Sequence, residues 1–561
     1  MSVLDRFLPR QDFNSYEDFK ENYRVNIPEG FNFGFDIVDA WANEDENKKA
    51  LVWCDDHDNE RVFTFKEISL LSNRAANFFK AHGIKKGSVV MLILRRRWEY
   101  WVAAVGLHKL GATLIPGSLQ LAKNDLVYRA NAAQISMMVC VDDEYVVAQV
   151  EAAQKEAPCL KNLALAGGKR EGWLQFDEEI AKFPSEFARP TGDEAAQNDD
   201  IMLIYFTSGT TSHPKMVQHS FTHPLGHIVT AKYWQRVQEN KLHLSVSDSG
   251  WAKFGWGKIY GQWCCGAVVF AYDMDKFVPL KLLEKLEHYK ITTFCAPPTM
   301  FRFMLQEDVS KFDLSSIKTC CNAGEPLNPE IWRKWRDLTG VCMTEGFGQS
   351  ESTVLLANFP WFPPKPGSMG KPSPIYDIRL INAQGEECED GEEGEICIFG
   401  VDKEIPVGLF HGYYHNEQQT NEALGGKCYN LKDVAWRDNE GYYWFVGRND
   451  DVIKCSGYRI GPFEVESALI EHPAVLECAI TGAPDPIRGQ VVKATVVLAK
   501  GYTASPELIK ELQNHVKHST APYKYPRIIE FVDELPKTIG GKIKRAQIRN
   551  IDEGGKENTN V

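Results

Sequence analysis

IMLIYF-TSGTTSHPK, residues 201–215, joins a run of apolar and aromatic side chains to a cluster of small hydroxylated residues, one glycine and a lysine. The run has the length and composition of a buried parallel strand. At its carboxyl end, small side chains let backbone N–H groups and hydroxyls come close to a polyphosphate, and a lysine adds positive charge. Thr207, Ser208, Gly209, Thr210, Thr211, Ser212, His213, Pro214 and Lys215 are therefore candidate phosphate contacts. The GxxxxGK[ST] spacing is absent, so this is not a Walker loop. The same residue types also dominate ordinary surface turns, and the rest of the chain must decide between the two.

Around this stretch the pattern alternates strand and helix. VVMLIL (89–94) reads as a buried strand, WEYWVAAVGLHKLG (98–111) as a helix and ATLIPG (112–117) as the next strand, a βαβ unit. ITTFCAP (291–297) and SIKTCCNAG (316–324) continue the series, the latter before a helix that Asn328 caps with Pro329 in its first turn. The expected fold class is α/β, with mainly parallel sheets flanked by helices and ligand loops at the carboxyl ends of strands. Composition shifts at GEECEDGEEGEICIFG (385–400) and again at GRNDD (447–451), where the main boundary is placed. Beyond it, helix, two strands, helix and strand (462–473, 477–483, 491–499, 505–518 and 527–532) suffice for a small α+β unit. The polar tail IDEGGKENTNV reads as disordered.

A chain of 561 residues exceeds one ordinary domain, and 43% hydrophobic with 25% charged residues is the composition of a globular protein. The net charge of -13 argues against nucleic acid or an anionic membrane surface as partner and leaves small molecules. No apolar signal core and no stretch of membrane-spanning length is present, so a cytoplasmic protein without an integral membrane segment is expected. The 14 cysteines show neither CxxC pairing nor histidine partners at zinc spacing and read as small buried side chains.

TSGTTSHPK resembles the phosphate loop of the adenylate-forming superfamily, which includes acyl-CoA synthetases, luciferases and peptide-synthetase adenylation domains. Ser212 stands where that loop commonly has glycine. Further motifs follow in the family's order, from about residue 60 to 545. EGFGQSE (345–351) resembles its aromatic-Gly-Gln-Thr-Glu segment, which implies Phe347 against adenine, Ser350 near phosphate and carboxylate, and Glu351 on Mg²⁺. Glu345, Gly346, Gly348 and Gln349 share that ATP-binding segment, and Gly324, Glu325 and Pro326 of GEPL (324–327) resemble the loop bordering adenine. In the longest match, 430–466, Asp433 takes the place of the ribose aspartate, Arg448 that of the ribose or phosphate arginine, and Asp450 that of the hinge. PKTIGGKIKR (536–545) places Lys542 as the catalytic lysine of adenylation.

The resemblance implies an N-terminal adenylation domain (1–448), a hinge (449–451), a mobile C-terminal lid (452–549) and the tail (550–561). It implies an AMP-forming acyl-CoA synthetase that uses ATP, Mg²⁺ and coenzyme A. A carboxylate attacks the α-phosphorus and expels pyrophosphate; the lid then rotates and coenzyme A takes the acyl group, giving the thioester and AMP. CSGYR (455–459) supplies Ser456, Gly457, Tyr458 and Arg459 for coenzyme A, with Arg488 a phosphate candidate and Gln120 a weaker one. Trp251 of SDSGWAKFGWG is placed to line the acyl tunnel, with Gly348 and Ser350 beside the acyl group. Gly348, where acetate-activating members carry tryptophan, implies a pocket open to larger acids. With APPTMFRF (296–303) and YRIGPFEVE (458–466), these segments look most like the medium-chain branch, hence medium-chain, branched-chain or arylalkyl acids. The alternatives are an enzyme that loads a carrier protein and a binding protein that has lost catalysis. Oligomeric state is not legible in the sequence.

Overall fold

The structure is a computed structural model that describes residues 2–207, 213–325, 327–455, 458–486, 488–537 and 543–552. The βαβ reading appears as strand Val89–Ile93, helix Glu99–Leu110 and strand Thr113–Pro116, with every residue of the helix buried. Such a helix has no polar face, because it lies sandwiched between layers rather than on the surface. The first sheet has seven strands, ordered Leu174–Gln175, Asn162–Ala166, Ile135–Val141, Val89–Ile93, Thr113–Pro116, Ile201–Thr207, Lys215–Ser220. All pair in parallel except the last two, an antiparallel hairpin with Thr207 opposite Lys215. The loop after IMLIYF thus turns back into a strand, whereas a Walker loop leads into a helix.

The second sheet has thirteen strands. Its parallel part runs from Met343–Phe347 through Thr319–Asn322, Thr293–Ala296, Leu242–Ser245 and Val268–Asp273 to Lys49–Asp55. An antiparallel extension follows on the other side of Met343–Phe347 and includes Tyr443–Arg448, Cys428–Arg437 and Glu393–Phe399. Helix Pro329–Thr339 starts where the sequence places it: the Asn328 side chain accepts from the Glu330 N–H at 2.7 Å, Pro329 fills the first position, and Gly340 at φ 73 ends it.

Past Arg448 a third, five-stranded sheet begins with the hairpin Ile453–Cys455 and Tyr458–Ile460. Strands Val475–Asp485, Gly489–Leu498 and Ile528–Phe531 complete it, and helices Pro462–Ile470 and Pro506–Ser519 cover a core that includes Val465, Leu469, Ile480, Val492, Leu512 and Val516. A helix the sequence reading did not place, Arg545–Asp552, runs beyond residue 549, and Arg549 pairs with Asp451. This sheet unit touches the larger part through Arg302 to Glu477 at 3.1 Å, the Asn328 amide to Ser467 O at 3.1 Å, and Arg459 facing Glu393 at 3.8 Å. Among the described residues no helix is long and apolar enough to cross a membrane.

Candidate active site

The sequence motifs converge at the seam where the parallel strands end and the antiparallel extension begins. Lys215, opening its strand, holds its ammonium 4.7 Å from the centre of the Tyr413 ring, and the Tyr413 hydroxyl donates to Glu351 Oε1 at 3.3 Å. Val217 bridges Tyr413 through the backbone, and the Phe410 N–H donates to the Glu351 carbonyl at 2.7 Å. Strand Lys215–Ser220 and the 345–351 segment are therefore tied together by residues 410–413. Burial raises the Glu351 carboxyl above the usual carboxylate range, while Lys215, Tyr413 and Arg448 oppose that rise.

One residue pair further along, the Gln349 amide donates to Asp433 Oδ2 at 2.7 Å and to Leu431 O at 2.9 Å, and the Tyr429 hydroxyl donates to Gln349 Oε1 at 3.1 Å. Asp433 is buried and lies opposite Arg448 in the antiparallel ladder. Arg448 itself is half exposed, 3.6 Å from Asp450 at the expected hinge. Phe347 packs 6.1 Å from Phe445, ring centre to ring centre. His213 stacks on Tyr128 at 4.4 Å.

Where the 324–327 loop meets strand Met343–Phe347, burial lifts the Glu345 carboxyl to about 8, so it is largely neutral near pH 7. The enclosed Asn322 amide faces the Glu345 carboxyl and, with the Leu327 backbone, partly offsets that rise. Gly324 is left-handed at φ 100, and Glu325 accepts from the Thr299 hydroxyl at 2.7 Å. A Cβ at Gly346 would lie 2.3 Å from the Trp234 indole, so glycine is required for the segment to pass that ring.

Ser208 to Ser212, Pro326, Ser456, Gly457 and Lys542 lie outside the described residues. The flanks of the Lys542 loop are placed: Lys537 bridges Ile543, and Lys537 Nζ lies 2.7 Å from Glu477, which also holds Arg302. Arg302 belongs to helix Pro298–Met304, the helix that carries Thr299 beside Glu325. In the hairpin 453–460, Cys455 pairs with Gly489, which brings Arg459 and Arg488 to one end of the small sheet, both exposed. Tyr458 is also exposed and stacks on Tyr523 at 4.2 Å. Gln120 is exposed in the loop whose Ser118 abuts Gly250, next to Trp251. Trp251 is partly buried and precedes helix Ala252–Lys258.

A Cβ at Gly348 would meet the Trp256 indole at 2.4 Å and Thr353 O at 2.7 Å, so the Trp256 ring, from helix Ala252–Lys258, packs directly against the Gly348 backbone. The sequence reading passed over Tyr413, Tyr429 and His219, whose Nε2 lies 2.7 Å from Ser350 O. For His219 the available signal was HSFTHPLGH, with histidines at 219, 223 and 227; all three are buried, and burial pushes His219 and His227 down to about 3. Tyr413 lies far from the motifs in sequence, and Tyr429 stands one residue before the 430–466 match, neither in a pattern of its own.

The model of the AMP-binding enzyme family matches residues 38–414, and that of the AMP-binding enzyme C-terminal domain matches 464–542. The chain belongs to the AMP-binding enzyme family. Among its relatives, mitochondrial acyl-coenzyme A synthetase ACSM3 of Mus musculus is 41% identical over 548 residues, covering 96% of this chain and 93% of the relative. Human mitochondrial acyl-coenzyme A synthetase ACSM4 is 42% identical over 553 residues, covering 96% and 94%. A crystal structure of the anthranilate CoA ligase AuaEII in complex with anthranoyl-AMP superposes with a TM-score of 0.85 at 28% identity, over 94% of this chain and 98% of that one. The cytoplasmic expectation is corrected by these relatives, which are mitochondrial proteins. Searching for an apolar signal core tests only for secretion, because mitochondrial targeting segments are amphipathic and arginine-rich.

Proposed function

We propose that this member of the AMP-binding enzyme family is an AMP-forming acyl-CoA synthetase that activates a medium-chain, branched-chain or arylalkyl carboxylic acid. The carrying observation is the pair of contact chains Lys215–Tyr413–Glu351 and Tyr429–Gln349–Asp433, which meet in the 345–351 segment and so bring three separated motifs together at the carboxyl ends of the parallel strands. In this reading Asp433, held by Gln349, accepts the ribose hydroxyls, and Arg448 meets ribose or phosphate. Glu345 and Asn322 border the adenine, with Phe347 against its face. The 207–215 segment and Lys215 cradle the triphosphate.

A magnesium ion fits Glu351, a hard oxygen donor at the phosphate side, and supplies charge neutralisation there when bound. The substrate carboxylate attacks the α-phosphorus, the bond to pyrophosphate breaks, and Lys542 offsets the charge that builds on the α-phosphate. No protein nucleophile is required. In the second half-reaction the unit beyond Asp450 rotates, exchanging the Lys542 loop for the 455–459 hairpin. The coenzyme A sulfur attacks the acyl carbonyl and AMP departs. Arg459 and Arg488 then suit the coenzyme A phosphates, with Gln120 at the mouth.

Lys542→Ala tests the assignment. Carboxylate-dependent exchange of labelled pyrophosphate into ATP should fall about 100- to 1000-fold, the size expected for losing one preorganised charge-stabilising group. Thioester formation from supplied acyl-AMP should persist. Exchange intact in the variant would remove Lys542 from the mechanism.

A further inference from the structure

A cavity of about 430 Å³ opens at the opposite edge of the large sheet from the candidate active site. Its wall includes Arg236, Lys318, Thr319, Thr339, Val341 and Cys342. Thr319 begins the strand that ends at Asn322, Met343, next to Cys342, begins the strand that ends at Phe347, and Thr339 ends the helix that Asn328 caps. The cavity therefore sits at the amino ends of the strands whose carboxyl ends form the nucleotide side.

Arg236 is unusual in two independent ways. Its backbone is left-handed at φ 54, a strained conformation for a non-glycine residue, and its Nε is enclosed without a hydrogen-bond acceptor. Among the described residues the guanidinium has neither an ion pair nor a hydrogen bond, and the charged groups nearest to it in the cavity wall carry no negative sign. Burial lowers the arginine below its ordinary range, opposed only by the nearby Cys321 and Cys342. The carboxyl end of helix Pro329–Thr339 gives the wall partial negative charge, but its carbonyls do not bond the arginine. Lys318, on the rim, spends one donor on Ser315 O at 2.9 Å and has others to offer. A partly buried fork of donors left unmatched costs desolvation with no compensating bond, and an oxyanion is the group whose shape and charge supply it.

We propose that this cavity binds a small oxyanion, a carboxylate or phosphate group, through Arg236 with Lys318 assisting, at a site separate from the catalytic one. Ile317 and Val341 add apolar surface for a short substituent. The proposal does not depend on the assigned reaction.

Cys342, the exposed cysteine of the chain, lies in the cavity wall and serves as a local reporter. The experiment measures its alkylation by iodoacetamide in the full-length protein, read by peptide mass spectrometry, while inorganic phosphate or butyrate is titrated against chloride at constant ionic strength. Saturable protection by phosphate, by butyrate or by both supports the site and says which source it accepts. Arg236→Gln should weaken that protection about tenfold or more, the worth of a charge-assisted bidentate contact, and Lys318→Gln less. Pyrophosphate exchange should be unchanged in both variants, which certifies their folding. Protection that fails to saturate, that chloride matches, or that survives both substitutions would overturn the proposal.

Discussion

The buried polar network around Gln349 and Glu351 and the exposed end of the small C-terminal sheet are built on opposite plans. In the first, Asp433 is buried, Gln349 uses its amide nitrogen and oxygen on three partners, and Glu351 is crowded by Tyr413 and Lys215. In the second, Arg459 faces Glu393 at 3.8 Å, Tyr458 stacks on Tyr523, and Tyr458, Arg459 and Arg488 are exposed. The buried network holds its geometry before any ligand arrives, which is what adenylation by positioning and electrostatics demands. The exposed face is open to solvent, as the proposed function asks of a surface that works only after being carried to the site.

Substitutions should separate the two plans. Glu351→Gln is expected to cut pyrophosphate exchange about 100-fold or more, with weaker dependence on magnesium concentration. Because burial raises this carboxyl, the wild-type exchange rate should decline on the acid side at a higher pH than an ordinary carboxylate dictates, as the metal-binding anion is protonated. The pH profile of the variant should lack that limb; an unchanged limb would assign it to another group.

Trp256→Ala should cost about 3–5 kcal/mol of stability, as large aromatic truncations do, and move the acid optimum toward bulkier acids by uncovering the space beside Gly348. A panel of acids scored by exchange checks this, and an optimum that stays in place would separate Trp256 from the acyl pocket. Gln349→Ala should raise the KM for ATP about tenfold with a smaller change in kcat, since the amide positions Asp433 rather than touching the reacting atoms. Equal loss in kcat and kcat/KM would count against that division of labour.

The smallest effect is assigned to the exposed face. Tyr523→Ala removes the ring on which Tyr458 stacks and should slow thioester formation from acyl-AMP about two- to tenfold, the worth of one aromatic pair. Exchange and melting temperature should stay unchanged, and Tyr523→Phe should restore the rate. A loss of exchange in Tyr523→Ala would erase the contrast between the two regions.

Much of this organisation was legible in the sequence. VVMLIL, IMLIYF and the Asn328–Pro329 helix start are local patterns, and local patterns fix the type of an element. EGFGQSE and the 430–466 segment pointed to Gln349, Glu351 and Asp433 through their resemblance to the family's motifs, residue by residue. Tyr413 reaches Glu351 across 62 residues and Tyr429 reaches Gln349 across 80, through the packing of the extension strands, and no periodicity announces such contacts. Gly348 shows the limit most clearly. An absent side chain reads as space, but whether that space is empty depends on Trp256, which arrives from a helix in a different part of the chain.

The central claim is tested most directly by one coupled assay: carboxylate-dependent exchange of labelled pyrophosphate into ATP across straight, branched and aromatic acids, followed by coenzyme A and detection of AMP and thioester. The account predicts exchange that peaks with medium-chain, branched or arylalkyl acids and thioester once coenzyme A is added. Exchange with no thioester would point to a carrier-loading enzyme, and the absence of exchange with every acid would contradict the account.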